Sequence, residues 1–161
     1  MDVPAQHASD ATLHALAAHF AGMPPVAAMQ PRVLGWRDGV LTLGAPLPIN
    51  VNDKGNAFGG SLCSLMTIAG WGLGFLRLAE AGLDADIYVA DSRIRYLKPV
   101  YEDLLVEARL ETAGEEGAEA RDLPGSLRAH GRVGYRVNAR TVLADGASAA
   151  VLGARYVAIA R

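Results

Sequence analysis

The stretch Asn50-Val51-Asn52-Asp53-Lys54-Gly55-Asn56-Ala57-Phe58-Gly59-Gly60-Ser61 holds the residues best suited to chemistry. Its first half is polar and turn-prone, its end is an aromatic followed by a glycine pair, and no charge follows until Arg77. A glycine pair at the start of a helix has a specific use. The first turn leaves backbone N–H groups without partners and carries the positive end of the helix dipole. Gly59 and Gly60 have no Cβ, so a substrate carbonyl can come close to those donors. A reaction that builds negative charge on that oxygen is accelerated by donors already in place. The Gly60 amide is the first candidate for that role. The plainer alternative is that the pair serves tight packing alone.

Other reactive side chains point to less. Cys63 is the single cysteine and has no histidine near it in sequence, so it reads as a small buried hydrophobe rather than a nucleophile. His7, His14, His19 and His130 form no ligand spacing, and no metal is expected. Arg128, His130, Arg132, Arg136 and Arg140 make a basic stripe that either engages phosphates or is a solvated strand face. No aromatics alternate with those arginines, so nucleic acid is not the expected partner. The formal net charge of −2 also argues against nucleic acid and anionic membranes as main partners. The segment Gly55 to Leu76 runs 22 residues without a charge, long enough to span a bilayer. The five glycines between Gly59 and Gly74, together with Ser61, Ser64 and Thr67, favour a buried core helix instead. The first residues, MDVPAQHASD, lack the basic and apolar regions of a signal peptide, and a cytoplasmic protein is expected.

These residues need elements to position them. At 161 residues the chain suits one domain over 1–161. Leu13, Leu16, Ala17 and Phe20 predict an amphipathic helix over about 10–22, capped by Ser9 or Asp10 and stopped by Pro24-Pro25. Asp38-Gly39 predicts a hairpin turn within RVLGWRDGVLTL. A helix over about 59–81 is apolar on nearly every side and must be surrounded. Gly70, Gly72 and Gly74 within it predict the close approach of a neighbouring backbone, and Trp71 and Phe75 are expected in the core. Alternation predicts strands in YVADSRIRYL, with Tyr88, Ala90, Ser92, Ile94 and Tyr96 inward, and in LVEARLET, with Val106, Ala108 and Leu110 inward. A further strand is expected over 127–139, and AAVLGARYVAIA supplies the last, with AGEEGAEARDLPGS as a polar loop. The compact solution is an α+β fold, in which an antiparallel meander of strands wraps one long helix. Its exposed sheet edge would be protected by a second copy of the chain.

The arrangement, with a Gly-Gly at the helix entrance, resembles the hotdog fold of acyl-CoA thioesterases and dehydratases. Asn50, Asn52, Lys54, Gly55, FGGS at 58–61, GWG at 70–72 and ADSRIRYLKP at 90–99 are similar to one bacterial thioesterase branch. That branch also occurs fused behind an acetyltransferase domain. The resemblance implies a long helix wrapped by five or six antiparallel strands. It also implies a homodimer or dimer of dimers, and acyl-CoA or acyl-carrier-protein thioesters bound at the dimer interface beside the helix N-terminus. No cofactor is implied beyond the coenzyme A of the substrate, and a separate acetyltransferase is a candidate partner.

Carried over residue by residue, the resemblance makes Asn52 the amide that holds the water or carbonyl. Gly60 becomes the N–H donor, and Asp91 the carboxylate that transfers a proton, with Asp53 next. Substrate contacts are implied for Asp53, Phe58, Gly59, Ser61, Ser64, Thr67 and Tyr96. Two positions depart from the usual pattern. Phe58 stands where many relatives have histidine, and Thr67 where they have a helix carboxylate; neither can act as a general base near neutral pH. Each residue also has a plainer role. Asn52 and Asp53 can shape a turn, Thr67 can bond back to its own helix, and Asp91 can pair with Arg93 or a partner-subunit arginine. The competing functions are a non-catalytic acyl-CoA or acyl-carrier binding module and, last, a dehydratase, whose usual histidine is missing from this loop.

Overall fold

The computed structural model describes residues 8–111 and 122–161. Helix α1 (Asp10–Gly22) starts at Ser9, whose hydroxyl accepts from the Thr12 N–H, and its Leu16 and Phe20 are buried. The two prolines that end it begin the short α2 (Pro24–Ala27). Strands β1 (Arg32–Arg37) and β2 (Val40–Ala45) form a hairpin. Its turn residues Asp38 and Gly39 both have positive φ, 52° and 76°. Such a turn matches the right-handed twist of the strands, and Asp-Gly tolerates it. A single 3₁₀ turn (Leu47–Ile49) then leads into the entrance loop.

Helix α3 (Gly59–Ala79) is the long apolar helix, ending two residues before its expected limit. After it come β3 (Ala85–Tyr96), β4 (Leu104–Leu110), α4 (Leu123–His130), β5 (Arg132–Val142) and β6 (Ser148–Ala160). The six strands form one antiparallel sheet in the order β1-β2-β4-β5-β6-β3. The expected meander therefore holds only for β4-β5-β6. Strand β3 lies at the far edge, and residues 97–103 carry the chain across to β4. One face of the sheet packs on α3. Leu62, Leu65, Met66, Leu73 and Leu76 of the helix share a single buried cluster with Leu43, Val106, Val137, Leu152 and Ala154 of the strands. α3 is long and apolar enough to cross a membrane, and 61% of its most apolar window is buried inside the protein.

Further sequence expectations are corrected. Residues 123–130 are helical, so the strand expected from 127 begins only at Arg132. The helix is bounded by its own signals. Asp122 caps it by accepting from the Gly125 N–H, Pro124 lies in its first turn, and Gly131 closes it at φ 66°. Arg128 thus leaves the basic stripe and donates to the Ala81 carbonyl at 2.8 Å. The expected polar loop lies largely in 112–121, outside the described residues.

The alternation expected in β3 is also broken. A bulge between Val89 and Asp91 shifts the register at Ala90, which reverses the facing of the residues before it. Ile87 and Val89 pair with the buried Ala158 and Tyr156, so these, with Ser92, Ile94 and Tyr96, take the helix side. Tyr88 moves to the outer face, beside Asp91, Arg93 and Arg95.

The helix glycines, finally, admit side chains rather than a backbone: phenol rings at Gly70 and Gly74, and the Leu41 and Leu16 side chains at Gly72. A Cβ at Gly70 would overlap the Tyr156 hydroxyl, and one at Gly74 the Tyr135 hydroxyl. These rings, paired across β5 and β6, stack at 5.2 Å and donate to helix carbonyls: Tyr135 to Gly70 at 3.2 Å, Tyr156 to Thr67 at 2.7 Å. Burial pushes both phenols above their ordinary pKa, because the ionised ring would lose its hydration. Trp71 and Phe75 are half-buried rather than fully in the core, stacked on each other with His19 against Phe75. Trp71 Nε1 donates to the Ile87 carbonyl of β3 at 3.1 Å.

Candidate functional site at the α3 entrance

The entrance loop is fixed from both ends. Asn50 is buried, and its Nδ2 donates to the carbonyls of Met29 at 3.0 Å and Pro46 at 2.8 Å. Val51 and Ala57 form an isolated antiparallel bridge, and the N–H groups of Ala57 and Phe58 donate to the carbonyls of Val100 and Asn50. Between them the chain turns at Gly55, with φ 82°, a conformation glycine adopts without penalty.

Asn52 organises that turn. Its Oδ1 accepts from the Lys54 N–H at 2.8 Å and the Asn56 N–H at 3.3 Å, and its Nδ2 donates to Asn56 Oδ1 at 2.9 Å. The turn-shaping role is therefore present, and among the described residues one Nδ2 hydrogen has no acceptor. Asp53 is exposed and paired with Lys54 at 2.8 Å. Asn56 was not singled out in the sequence; its spacing of four from Asn52 around Gly55 was the available signal.

Phe58 occupies the N-cap of α3 without a capping side chain. Its carbonyl accepts from the N–H groups of Ser61 and Leu62, at 3.0 and 3.1 Å. Among the described residues, the N–H groups of Gly59 and Gly60 have no acceptor. The missing Cβ atoms are used by aromatics. A Cβ at Gly59 would stand 3.3 Å from the Tyr96 ring, and one at Gly60 would overlap the exposed Phe58 ring. Tyr96 also donates to the Gly59 carbonyl at 2.9 Å, and its pKa is raised, first by desolvation and then by nearby Cys63.

Beside this entrance is a cleft of about 360 Å³, lined among others by Asn52, Asn56, Gly59, Leu62, Tyr96 and Lys98. Lys98 follows Tyr96 out of β3 and was not anticipated as a lining residue. Along α3, Gly60, Cys63, Thr67 and Trp71 are only partly buried and Ser64 is exposed, whereas Ser61 is buried. Helical spacing puts the former on one stripe leading away from the entrance. Thr67 Oγ1 donates to the Cys63 carbonyl at 2.8 Å, the back-bonding geometry.

The expected residues thus divide. Asn52, Gly59 and Tyr96 meet at the cleft, with Asp53, Phe58 and Gly60 adjoining them in the chain. Asp91 lies apart. Its side chain is on the sheet face away from α3, where Arg155 donates to it at 3.3 Å. Among the described residues, no three His, Cys, Asp or Glu side chains gather to hold a metal.

The comparisons with known proteins agree with this architecture. Residues 14–160 match the family described as "Putative thioesterase (yiiD_Cterm)". A solved Shewanella oneidensis structure, described in the same first two words, is 28% identical, covering 94% of this chain and 99% of its own, with a TM-score of 0.80. A Chlorobaculum tepidum protein of unknown function is 22% identical over 96% of this chain and 98% of its own, with a TM-score of 0.83. A Pseudomonas aeruginosa protein, described as a "Probable Thioesterase", is 22% identical over 94% and 95% of the two chains, with a TM-score of 0.73. Helix, sheet and sequence agree, and the chain belongs to the YiiD C-terminal thioesterase-like family, with its hotdog fold.

Proposed function

We propose that this chain hydrolyses acyl thioesters, carried on coenzyme A or on an acyl carrier protein, with the reacting carbonyl at the N-terminus of α3. The observation that carries the reading is the pair of unpartnered N–H groups on Gly59 and Gly60 beside the 360 Å³ cleft. The description of the Shewanella oneidensis relative supports the same reaction class.

In this reading water adds to the thioester carbonyl carbon, and the oxygen that becomes negative is held by the Gly60 N–H. The remaining Nδ2 hydrogen of Asn52 orients the carbonyl or the water. Asp53 accepts the proton, since it is on the entrance loop while Asp91 is on the opposite sheet face. Collapse of the tetrahedral intermediate breaks the C–S bond, and the leaving thiolate takes the proton held by Asp53 and departs as the free thiol. The acyl chain follows the stripe Cys63, Ser64, Thr67 toward Trp71. No cofactor takes part beyond the coenzyme A of the substrate. The working unit is a homodimer. β3 has 12 residues, one unpaired edge, and large apolar side chains exposed on it: Tyr88, Val89 and Tyr96 at 58%, 47% and 54%. Pairing that edge with a second copy removes an aggregation hazard and encloses the stripe.

A non-catalytic acyl-binding module is the second reading, favoured by the ion-paired state of both candidate carboxylates. Turnover of short-, medium- and long-chain acyl-CoAs and of acyl carrier proteins separates the two. Gly60→Pro removes the proposed donor in the first helical turn, with the exposed Phe58 ring displaced by the added Cβ, and should lower kcat by about 10²–10³-fold. Full activity in that variant refutes the donor assignment. Absence of turnover on every substrate, with thermal stabilisation by acyl-CoA, establishes the binding module.

A further inference from the structure

The outer face of the sheet holds a second hollow, of about 560 Å³, far from the helix in the layering of the fold. Its guanidinium groups come from three strands: Arg93 and Arg95 of β3, Arg109 of β4 and Arg140 of β5. The ladder explains the convergence. Arg93, Gly153, Asn138 and Arg109 are successive register partners across four strands, and Arg95, Val151, Arg140 and Glu107 form the adjacent row. Gly153 is exposed at the centre of the first row and leaves a floor without a side chain. Arg140 is neutralised by Glu107 at 3.0 Å. Among the described residues, Arg93, Arg95 and Arg109 have no ion pair or hydrogen bond.

We propose that this hollow binds a small molecule bearing a diphosphate or paired phosphate groups. Its size is that of a small-ligand site, where a protein surface would need a larger and flatter patch. Three uncompensated guanidinium groups supply a dense positive field, and their planar forks match phosphate oxygens in pairs. The Asn138 amide adds a neutral polar group to the rim. The site is independent of hydrolysis at α3, and its test reads binding alone.

The test is calorimetric titration of the intact protein with inorganic pyrophosphate at low ionic strength. Wild type should bind with an affinity that falls as salt is added. Arg93→Gln combined with Arg109→Gln should weaken binding by at least about tenfold. Gly153→Val should do the same while leaving every charge in place. A Cβ at Gly153 meets nothing closer than 3.8 Å, so the strand accepts a side chain and only the floor is filled. Competition by coenzyme A would identify the phosphates as those of the thioester carrier, and its failure would leave a free diphosphate compound as the source. Absence of pyrophosphate binding by wild type overturns the proposal. So does binding that survives both variants, or an oligonucleotide affinity unaffected by Gly153→Val, which would mark a diffuse basic surface.

Discussion

Replacing Gly74 by alanine tests the packing that shapes α3. In an ordinary helix interior this change is favourable by about 1 kcal/mol. Here the added Cβ would overlap the Tyr135 hydroxyl and lie 2.5 and 2.9 Å from Cζ and Cε1 of the same ring. The ring has little room to retreat, being 2% exposed and stacked on Tyr156. Overpacking of this kind costs about 1–3 kcal/mol. Displacement also removes the bond from the Tyr135 hydroxyl to the Gly70 carbonyl, worth about 1 kcal/mol. The expected net is a loss of about 1–3 kcal/mol, or about 2–4 °C in Tm for each kcal/mol at this chain length. Urea and thermal unfolding at one fixed protein concentration measure it, since association would otherwise shift the midpoint. Gly22→Ala is the control: nothing lies within 4 Å of its Cβ position at the end of α1, so it should gain up to about 1 kcal/mol. Tyr135→Phe in the Gly74→Ala background removes the nearest overlap but keeps the ring carbons, so rescue should be partial, with a coupling of about 0.5 kcal/mol or more. If Gly74→Ala melts at or above wild type while Gly22→Ala behaves as expected, the glycine spacing has another cause.

Alkaline pH should destabilise the protein through the same rings. Both phenols have pKa values raised above 10.0 in the fold, so the unfolded chain ionises first. Their contribution is intact below about pH 10 and declines as pH rises above it, by up to about 1.4 kcal/mol per pH unit for each ring. Tyrosinate absorbance and unfolding midpoints between neutral and alkaline pH measure this, and a flat profile there would contradict it. Asn50→Ala should cost about 1–3 kcal/mol, because it leaves the Met29 and Pro46 carbonyls unpaired in a buried loop base; denaturant midpoints report it. Asp91→Asn should change stability by less than about 1 kcal/mol, its partner Arg155 being an exposed pair, and should leave hydrolysis intact. Asp53→Asn should lower kcat by about 10²-fold or more under the proposed mechanism. The opposite order would return the proton-transfer role to Asp91.

The features legible in the sequence are those whose cause is local. Ser9, Asp38-Gly39 and the uncharged run after Phe58 each fix a cap, a turn or a buried helix by their own chemistry. Signals for α4 were equally local, at Asp122, Pro124 and Gly131. They were overridden by an alternation that genuinely begins at Arg132 and extends by coincidence into Leu127 and Ala129. Strand β3 failed for another reason. It is an edge strand exposed along most of its length, so burial within the chain hardly constrains which residues alternate, and the bulge at Ala90 reverses their phase. The candidate site divides along the same line. Free N–H groups at Gly59 and Gly60 follow from any helix start, whatever its residues. What the glycines add depends on contacts formed from elsewhere: Tyr96, 37 positions away, packs on Gly59, and the Phe58 ring folds over Gly60. The Phe58 ring is exposed, so it can swing away from Gly60, whereas Tyr96 is tied to the Gly59 carbonyl. Of the two glycine faces, the one at Gly60 is therefore open to a substrate at the smaller conformational cost, which is why the Gly60 amide remains the donor to test.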